Sequence, residues 1–259
     1  MASGMRSICV GIAIVGVLAS RPAIAQDASG ADLKKDLQAL GDAVKAMQKD
    51  LQEIKAVLLK GQPSAQPAAQ QTVVLELGNN PAKGERAAKV TLVEFTDYEC
   101  PFCGRYVRDT MPQIEKEYIA TGKIKYVLMD LPLESIHPLA FKGAEAANCA
   151  GEQGKYWEMH DRLFSNQQTL SAWNTHAQAV GLDAARFEAC LASGRQAAEI
   201  RSDAAQSRAA GINGTPGFAL GFTDAASSKL KVEGLFTGAH PFATFKAQLD
   251  RLIEQAQAR

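Results

Sequence analysis

Two cysteines separated by two residues, Cys100-Pro101-Phe102-Cys103, stand directly behind the apolar run Val90 to Phe95. Thiols at this spacing can close a small disulfide ring and open it again, and they can also supply half of a tetrahedral zinc site. Zinc needs further ligands, and downstream there is neither a second C-x-x-C nor a histidine pair at ligand spacing. The motif therefore reads as a redox dithiol, and neither a metal nor another cofactor is expected. If the strand ends near Asp97 and a helix begins at the first cysteine, Cys100 lies at a helix N-terminus, where unpaired N–H groups and the macrodipole stabilise a thiolate. Pro101 suits the first helical turn, because its missing N–H costs nothing there.

A redox pair needs a compartment, and the first residues supply one. Arg6 gives a positive start, Ile8 to Ala19 is continuously apolar, and Ala23-Ile24-Ala25 reads as a cleavage site, so residues 1–25 are expected to be a signal peptide and the mature chain to begin at Gln26. The apolar run falls short of the ~20 residues a membrane span requires, which makes an uncleaved anchor the weaker reading. Cys9 would be lost with the signal. Cys100, Cys103, Cys149 and Cys190 remain, an even set in an environment where disulfides persist. Four cysteines permit three connectivities, and only the C-x-x-C pair closes locally; by elimination Cys149 would pair with Cys190 as a structural disulfide. Its loop of about 40 residues would add on the order of 3–4 kcal/mol in the chain-entropy model. The competing role for Cys149 and Cys190 is a second redox relay.

Lys plus Arg and Asp plus Glu both number 28, giving zero formal charge, and no basic block interleaved with aromatics is present. Nucleic acid is excluded as a partner on that ground. Between Leu33 and Leu58 apolar residues fall at Leu33, Leu37, Leu40, Val44, Met47, Leu51, Ile54 and Leu58, in alternating steps of four and three. So narrow a stripe is best buried against copies of itself, so residues 26–60 are expected to form a coiled-coil helix that makes a homo-oligomer through residues 32–59. The alternative is an amphipathic helix folded back on its own domain. Residues 61–71, rich in Gly, Gln, Pro, Ser and Ala, read as a flexible linker.

Beyond the linker, residues 72–259 are long enough for one well-buried core. Strands are expected near Val73 to Leu77, Val90 to Thr96 and Lys123 to Leu131, with a helix from Pro101 to about Ala120 that Pro112 should kink or split. A helical stretch from about residue 137 to 210 follows, then strands at Phe218 to Phe222 and Lys229 to Glu233. Pro241 opens a last helix with Phe242, Phe245, Leu249 and Leu252 on one face. Without the helical stretch the order is β-α-β then β-β-α, an α/β thioredoxin fold with an inserted helical domain, preceded by the N-terminal coiled-coil helix.

With Val90-Thr91-Leu92-Val93-Glu94-Phe95, then Cys100-Pro101-Phe102-Cys103, the helical insertion and Gly214-Thr215-Pro216-Gly217 in that order, the chain resembles the DsbA-like branch of the thioredoxin superfamily, periplasmic thiol:disulfide oxidoreductases. The resemblance implies that Cys100 is the exposed attacking thiol and Cys103 the buried resolving one. It implies that Thr215-Pro216 is a cis-proline loop that binds an extended substrate peptide, and that Glu94 is a buried acid assisting proton transfer at Cys103. Asn213-Gly214-Thr215 meets the glycosylation pattern, but the proline that follows discounts it. Strongly oxidising members carry histidine where this chain has Phe102, which donates neither charge nor hydrogen bond. A moderate oxidant is therefore expected.

The resemblance further implies a periplasmic location, cysteine-containing envelope proteins as substrates and a membrane redox partner. Members with an N-terminal oligomerising segment tend to be isomerases or reductases, which favours that direction over oxidation. A second reading is a coiled-coil chaperone that holds unfolded chains without turnover. His137, His160, His176 and His240 show no metal spacing and read mostly as surface or packing residues, leaving a Cys-His hydrolase as a minor possibility. Tyr156, Trp157, Met159, His160, Phe164, Trp173 and Phe187 are expected to fill the helical domain.

Overall fold

A computed structural model describes residues 28–60, 72–224 and 228–258. The expected signal peptide, residues 1–25, and linker, residues 61–71, lie outside the described residues. The chain divides into two units, Met1–Ala69 and Gln70–Arg259.

The first unit contributes one helix, α1 (Ala28–Lys60). Leu33, Leu37, Leu40, Val44, Met47, Leu51 and Ile54 are all exposed along it, the least accessible being Val44 at 41%. Lys45–Asp42 and Lys49–Glu53 pairs decorate its surface, each too solvated to contribute more than about 0.5 kcal/mol. No described helix is long and apolar enough to cross a membrane.

The second unit is built on a six-stranded sheet of β1 (Val74–Glu76), β2 (Ala82–Gly84), β3 (Val90–Thr96), β4 (Ile124–Asp130), β5 (Gly217–Asp224) and β6 (Lys229–Thr237), in the spatial order β1-β6-β5-β3-β4-β2. The β3 and β4 pair is parallel, with Glu94 opposite Leu128 and Thr96 opposite Asp130; the other pairings are antiparallel. Parallel neighbours demand a crossover, here made by α2 (Pro101–Asp109), α3 (Met111–Ile114) and a π-helical turn, Glu115–Ile119. Every residue of β3 is buried, as expected for a central strand covered on both faces. Val90 and Leu92 look toward a core shared with Tyr106, Phe218, Phe245 and Leu249, while Val93 and Phe95 face Leu75, Val127, Ala204 and Ile212. α9 (Phe242–Gln257) closes the first face with Phe245, Leu249 and Leu252.

The insertion between β4 and β5 comprises α4 (Ala140–Gly151), α5 (Tyr156–Ser165), a 3-10 turn (Gln167–Thr169), α6 (Trp173–Ala179), α7 (Ala184–Ser193) and α8 (Ala197–Ala209). Cys149 on α4 and Cys190 on α7 are joined by a disulfide with Cα atoms 5.8 Å apart. Tyr156, Met159, His160, Phe164 and Phe187 are buried inside it, whereas Trp157 and Trp173 are only partly covered.

Two differences from the sequence reading have clear physical causes. The helix after the dithiol breaks at Thr110 rather than at Pro112; proline takes an early position in a new helix, where it forfeits no hydrogen bond. β2 was not foreseen, because three residues ending in Gly84 at φ 91° show no alternation, and the strand exists only by pairing with the edge of β4.

The inner end of the insertion meets the sheet through two buried acids. Asp203 of α8 accepts the Asp130 N–H at 3.0 Å through Oδ2 and the Asn80 side-chain amide at 2.9 Å through Oδ1, and Asn148 donates to Asp130 Oδ2 at 2.7 Å. Burial raises Asp130 to about 7 and Asp203 to about 8, since loss of water penalises the charged forms. A carboxyl whose pKa is higher folded than unfolded leaves full stability below its unfolded pKa of about 4 and withdraws it as pH climbs to the folded value. Melting temperature should therefore still be falling from pH 6 to pH 8 and level off above about 8. Asp130→Asn should make that loss about 1 kcal/mol smaller, and an unchanged slope in thermal melts would refute the burial argument.

Candidate functional site

The site is assembled at the C-terminal end of β3, where the chain turns from strand to helix. Cys100 is the N-cap of α2 with φ −69° and ψ 120°, and Pro101 is the first helical residue. Asp97 shapes the turn. Its Oδ1 accepts the N–H groups of Glu99 at 2.8 Å and Cys100 at 3.1 Å, and its carbonyl also accepts from Cys100 at 3.1 Å. A short carboxylate that bonds backbone two and three residues on is the ordinary way Asp builds a turn. Asp97 Oδ2 in turn accepts the Leu133 N–H at 2.9 Å and pairs with His137 Nδ1 at 2.8 Å.

Further contacts tie this turn to the helical insertion. Glu99 accepts the Leu139 N–H at 2.6 Å, Gln167 donates to the carbonyls of Tyr98 and Cys100 at 3.0 Å each, and Tyr98 packs on Phe164 with ring centroids 4.9 Å apart. The Tyr98 hydroxyl lies 3.1 Å from that of Tyr156 and 3.3 Å from His160 Nδ1. Gly143 on α4 makes the approach possible, since a Cβ there would sit 2.9 Å from the Tyr98 Cβ.

The two sulfurs occupy unlike environments. Both are free thiols and both are buried, Cys100 at 3% accessibility rather than exposed as expected and Cys103 at 0%, because the Thr215 loop covers Cys100, whose Sγ reaches the Thr215 carbonyl at 3.5 Å. The Cys103 thiol, hydrogen-bonded to the Cys100 sulfur, pulls the Cys100 pKa down to about 6 against the opposing effect of burial. The Thr215 contact and the N–H groups of Cys103 and Phe102 contribute further. The helix N-terminus expected from sequence thus acts on the thiolate, but the largest effect comes from the partner thiol. Cys103 is pushed well above the usual thiol range by burial and by the negative charge that develops on Cys100. Phe102 is 53% exposed, and the Arg105 guanidinium lies 5.0 Å over its ring.

The Thr215-Pro216 peptide bond is cis, and the Pro216 carbonyl accepts the Gly238 N–H at 2.7 Å. The fold therefore brings the loop before β5 against Cys100, as Thr215 lies 115 residues away in the chain. Glu94 is completely buried on β3 and accepts a hydrogen bond from the Tyr126 hydroxyl. Burial lifts its carboxyl to about 7, with the Tyr126 and Thr96 hydroxyls opposing the rise, and its charge contributes to raising Cys103. Thr215 and the cis-proline that follows it thus lie against Cys100, and the charge of Glu94 reaches Cys103, while Cys149 and Cys190 are bonded to each other in the insertion, within the same core.

Of the histidines, His160 and His176 are buried packing residues, His176 with Nε2 bonded to the Thr169 carbonyl at 2.9 Å, whereas half-buried His137 pairs with Asp97 at 2.8 Å, a contact the sequence does not announce. Asp97 and Gln167 were also missed. For Asp97 a signal existed, an acid three residues before a helix-opening cysteine. His137 and Gln167 lie 40 and 67 residues from the groups they hold, a separation that leaves no local pattern.

A family model described as Thioredoxin matches residues 76–233. The curated Na(+)/H(+) antiporter NhaA 3 of Salinispora tropica is 38% identical over 138 residues, which are 52% of this chain and 21% of that protein; the chain thus spans about a fifth of the length of this curated relative. Among solved structures, Wolbachia pipientis alpha-DsbA1 superposes with a TM-score of 0.63 at 23% identity, covering 71% of this chain and 96% of its own. A thioredoxin-like oxidoreductase from Silicibacter pomeroyi superposes at 0.56 with 25% identity, covering 67% and 91%. The family match spans the sheet and the dithiol alike, and the chain belongs to the thioredoxin family.

Proposed function

We propose that this protein is a periplasmic thiol:disulfide oxidoreductase acting on cysteine-containing envelope proteins. The observation that carries the proposal is the pairing of an acidified Cys100, at a helix N-cap and against the Thr215 carbonyl, with a buried Cys103 whose thiol stays protonated. The Cys100 thiolate attacks one sulfur of a substrate disulfide; the substrate S–S bond breaks and its second sulfur leaves as a thiolate that takes up a proton. Cys103 then gives its proton to Glu94 and attacks Cys100 Sγ, breaking the mixed disulfide; the first substrate sulfur leaves as a thiolate and takes that proton back from Glu94. The protein dithiol becomes a disulfide and the substrate gains two electrons. Run backward, the same steps oxidise a substrate, with a membrane redox partner resetting the pair.

Thr215 and Pro216 border the sulfur that would carry the mixed disulfide, which supports their assignment to substrate binding. The Cys149–Cys190 disulfide joins two helices of the insertion, which supports a structural role. The exposed heptad seam of α1 supports a homo-oligomer, with isomerase or reductase activity favoured over oxidation.

Three outcomes are expected. Cys100→Ser should abolish exchange, whereas Cys103→Ser should trap mixed disulfides visible on non-reducing gels; survival of full refolding activity in the double serine variant would favour the chaperone reading. Glu94→Gln should slow resolution of the mixed disulfide about 100-fold and remove the rate dependence on pH near 7, and unchanged rates from pH 6 to 8 would remove Glu94 from the mechanism. Deleting Gln26 to Gln71 should convert an oligomer to a monomer by light scattering and depress scrambled-ribonuclease refolding more than oxidation of reduced ribonuclease; equal activities before and after truncation would contradict the role given to α1.

A further inference from the structure

The Cys100 carbonyl has an unusual second donor. As the N-cap acceptor it already takes the Gly104 N–H at 3.2 Å, which begins the hydrogen bonding of α2. Gln167, from the 3-10 turn between α5 and α6, adds its side-chain amide at 3.0 Å and shares it with the Tyr98 carbonyl at 3.0 Å. Because residue 101 is proline, the peptide link leaving Cys100 has no N–H, so its carbonyl is the one hydrogen-bonding handle on that side of the residue. The N–H on the other side is held by Asp97. Cys100 is thereby gripped from both directions.

A second observation concerns space. A Cβ at Gly104 would lie 2.3 Å from Gln167 Oε1, 3.0 Å from its Cδ and 3.1 Å from Arg108 Nη1, so any larger residue there would require the Gln167 amide to move from its place. The turn bearing Gln167 is itself braced, since His176 donates to the Thr169 carbonyl and Leu170 is buried. The amide therefore reaches the dithiol from a fixed base.

We infer that Gln167 is a positioning residue through which the helical insertion fixes the backbone of the attacking cysteine, and that Gly104 is glycine in order to admit it. This inference rests on the proposed exchange activity. During ring closure Cys103 must approach Cys100 Sγ in line with the sulfur it displaces, a geometry that misplacement of the backbone degrades. Alkylation of the same thiolate by a small reagent makes no such demand. Loss of Gln167 should consequently slow the intramolecular step far more than it slows simple capture of the thiol.

The test uses the mature protein and glutathione disulfide in single-turnover mixing, with iodoacetamide alkylation of Cys100 measured alongside. Gln167→Ala should slow release of glutathione from the mixed disulfide about tenfold while alkylation changes less than twofold. A merely structural role would move both rates together with the melting temperature. Gly104→Ala should slow release similarly in the natural background, yet cost nothing further in Gln167→Ala, where the better helix propensity of alanine should instead raise the melting temperature. Additive losses in the double variant, or unchanged release in Gln167→Ala, would overturn the inference. If the unmodified protein fails to exchange with glutathione disulfide at all, the proposed function falls rather than the role of Gln167.

Discussion

The site depends on how one carboxylate, Asp97, converts the end of a buried strand into the start of a helix. β3 carries no free edge and cannot shift, so the place where it stops fixes the place where α2 begins. One Asp97 oxygen accepts the Glu99 N–H and reinforces the bond the Cys100 N–H already makes to the Asp97 carbonyl, and the other oxygen holds His137 and Leu133 beyond β4. Buried and bonded on both sides, it leaves Cys100 a single backbone position. The contacts of the sulfur, with Cys103 below and Thr215 across, follow from that position.

Low dielectric then separates the chemistry of neighbouring groups. Cys100 gains donors that favour its anion, whereas Cys103, deeper by one helical turn, loses water and gains no comparable support, so the two thiols move in opposite directions. Glu94 is lifted toward neutrality by the same burial, which matches a carboxyl that accepts and returns a proton near pH 7. Asp130 and Asp203 respond likewise where the insertion joins the sheet, but their partners are amides and a backbone N–H rather than sulfur. Similar electrostatics thus underlies reactivity in one place and pH-dependent stability in another.

The insertion does more than cover the dithiol. Glu99, Tyr98 and Cys100 each bond to residues beyond β4, and the Cys149–Cys190 disulfide ties α4, which opens just after Leu139, to α7. Glycines at 104 and 143 mark where the two parts approach too closely for a Cβ. α1 belongs to a separate unit, and the apolar residues Leu33 to Ile54 along it are exposed.

Sequence was sufficient wherever the governing interaction is local or periodic. The C-x-x-C spacing, Pro101 at the first helical turn, the apolar block of β3, the three-and-four spacing in α1 and the one-sided α9 are short-range patterns, and each element formed where its pattern lies. β2 and the roles of His137 and Gln167 were not legible, because each depends on a partner far along the chain. Residue types and their order determined that a dithiol would sit at the head of a helix on a thioredoxin sheet with a helical insertion. Only tertiary structure decided which groups would surround each sulfur, because desolvation and hydrogen bonding are set by what packs across the sheet and not by what adjoins in the chain.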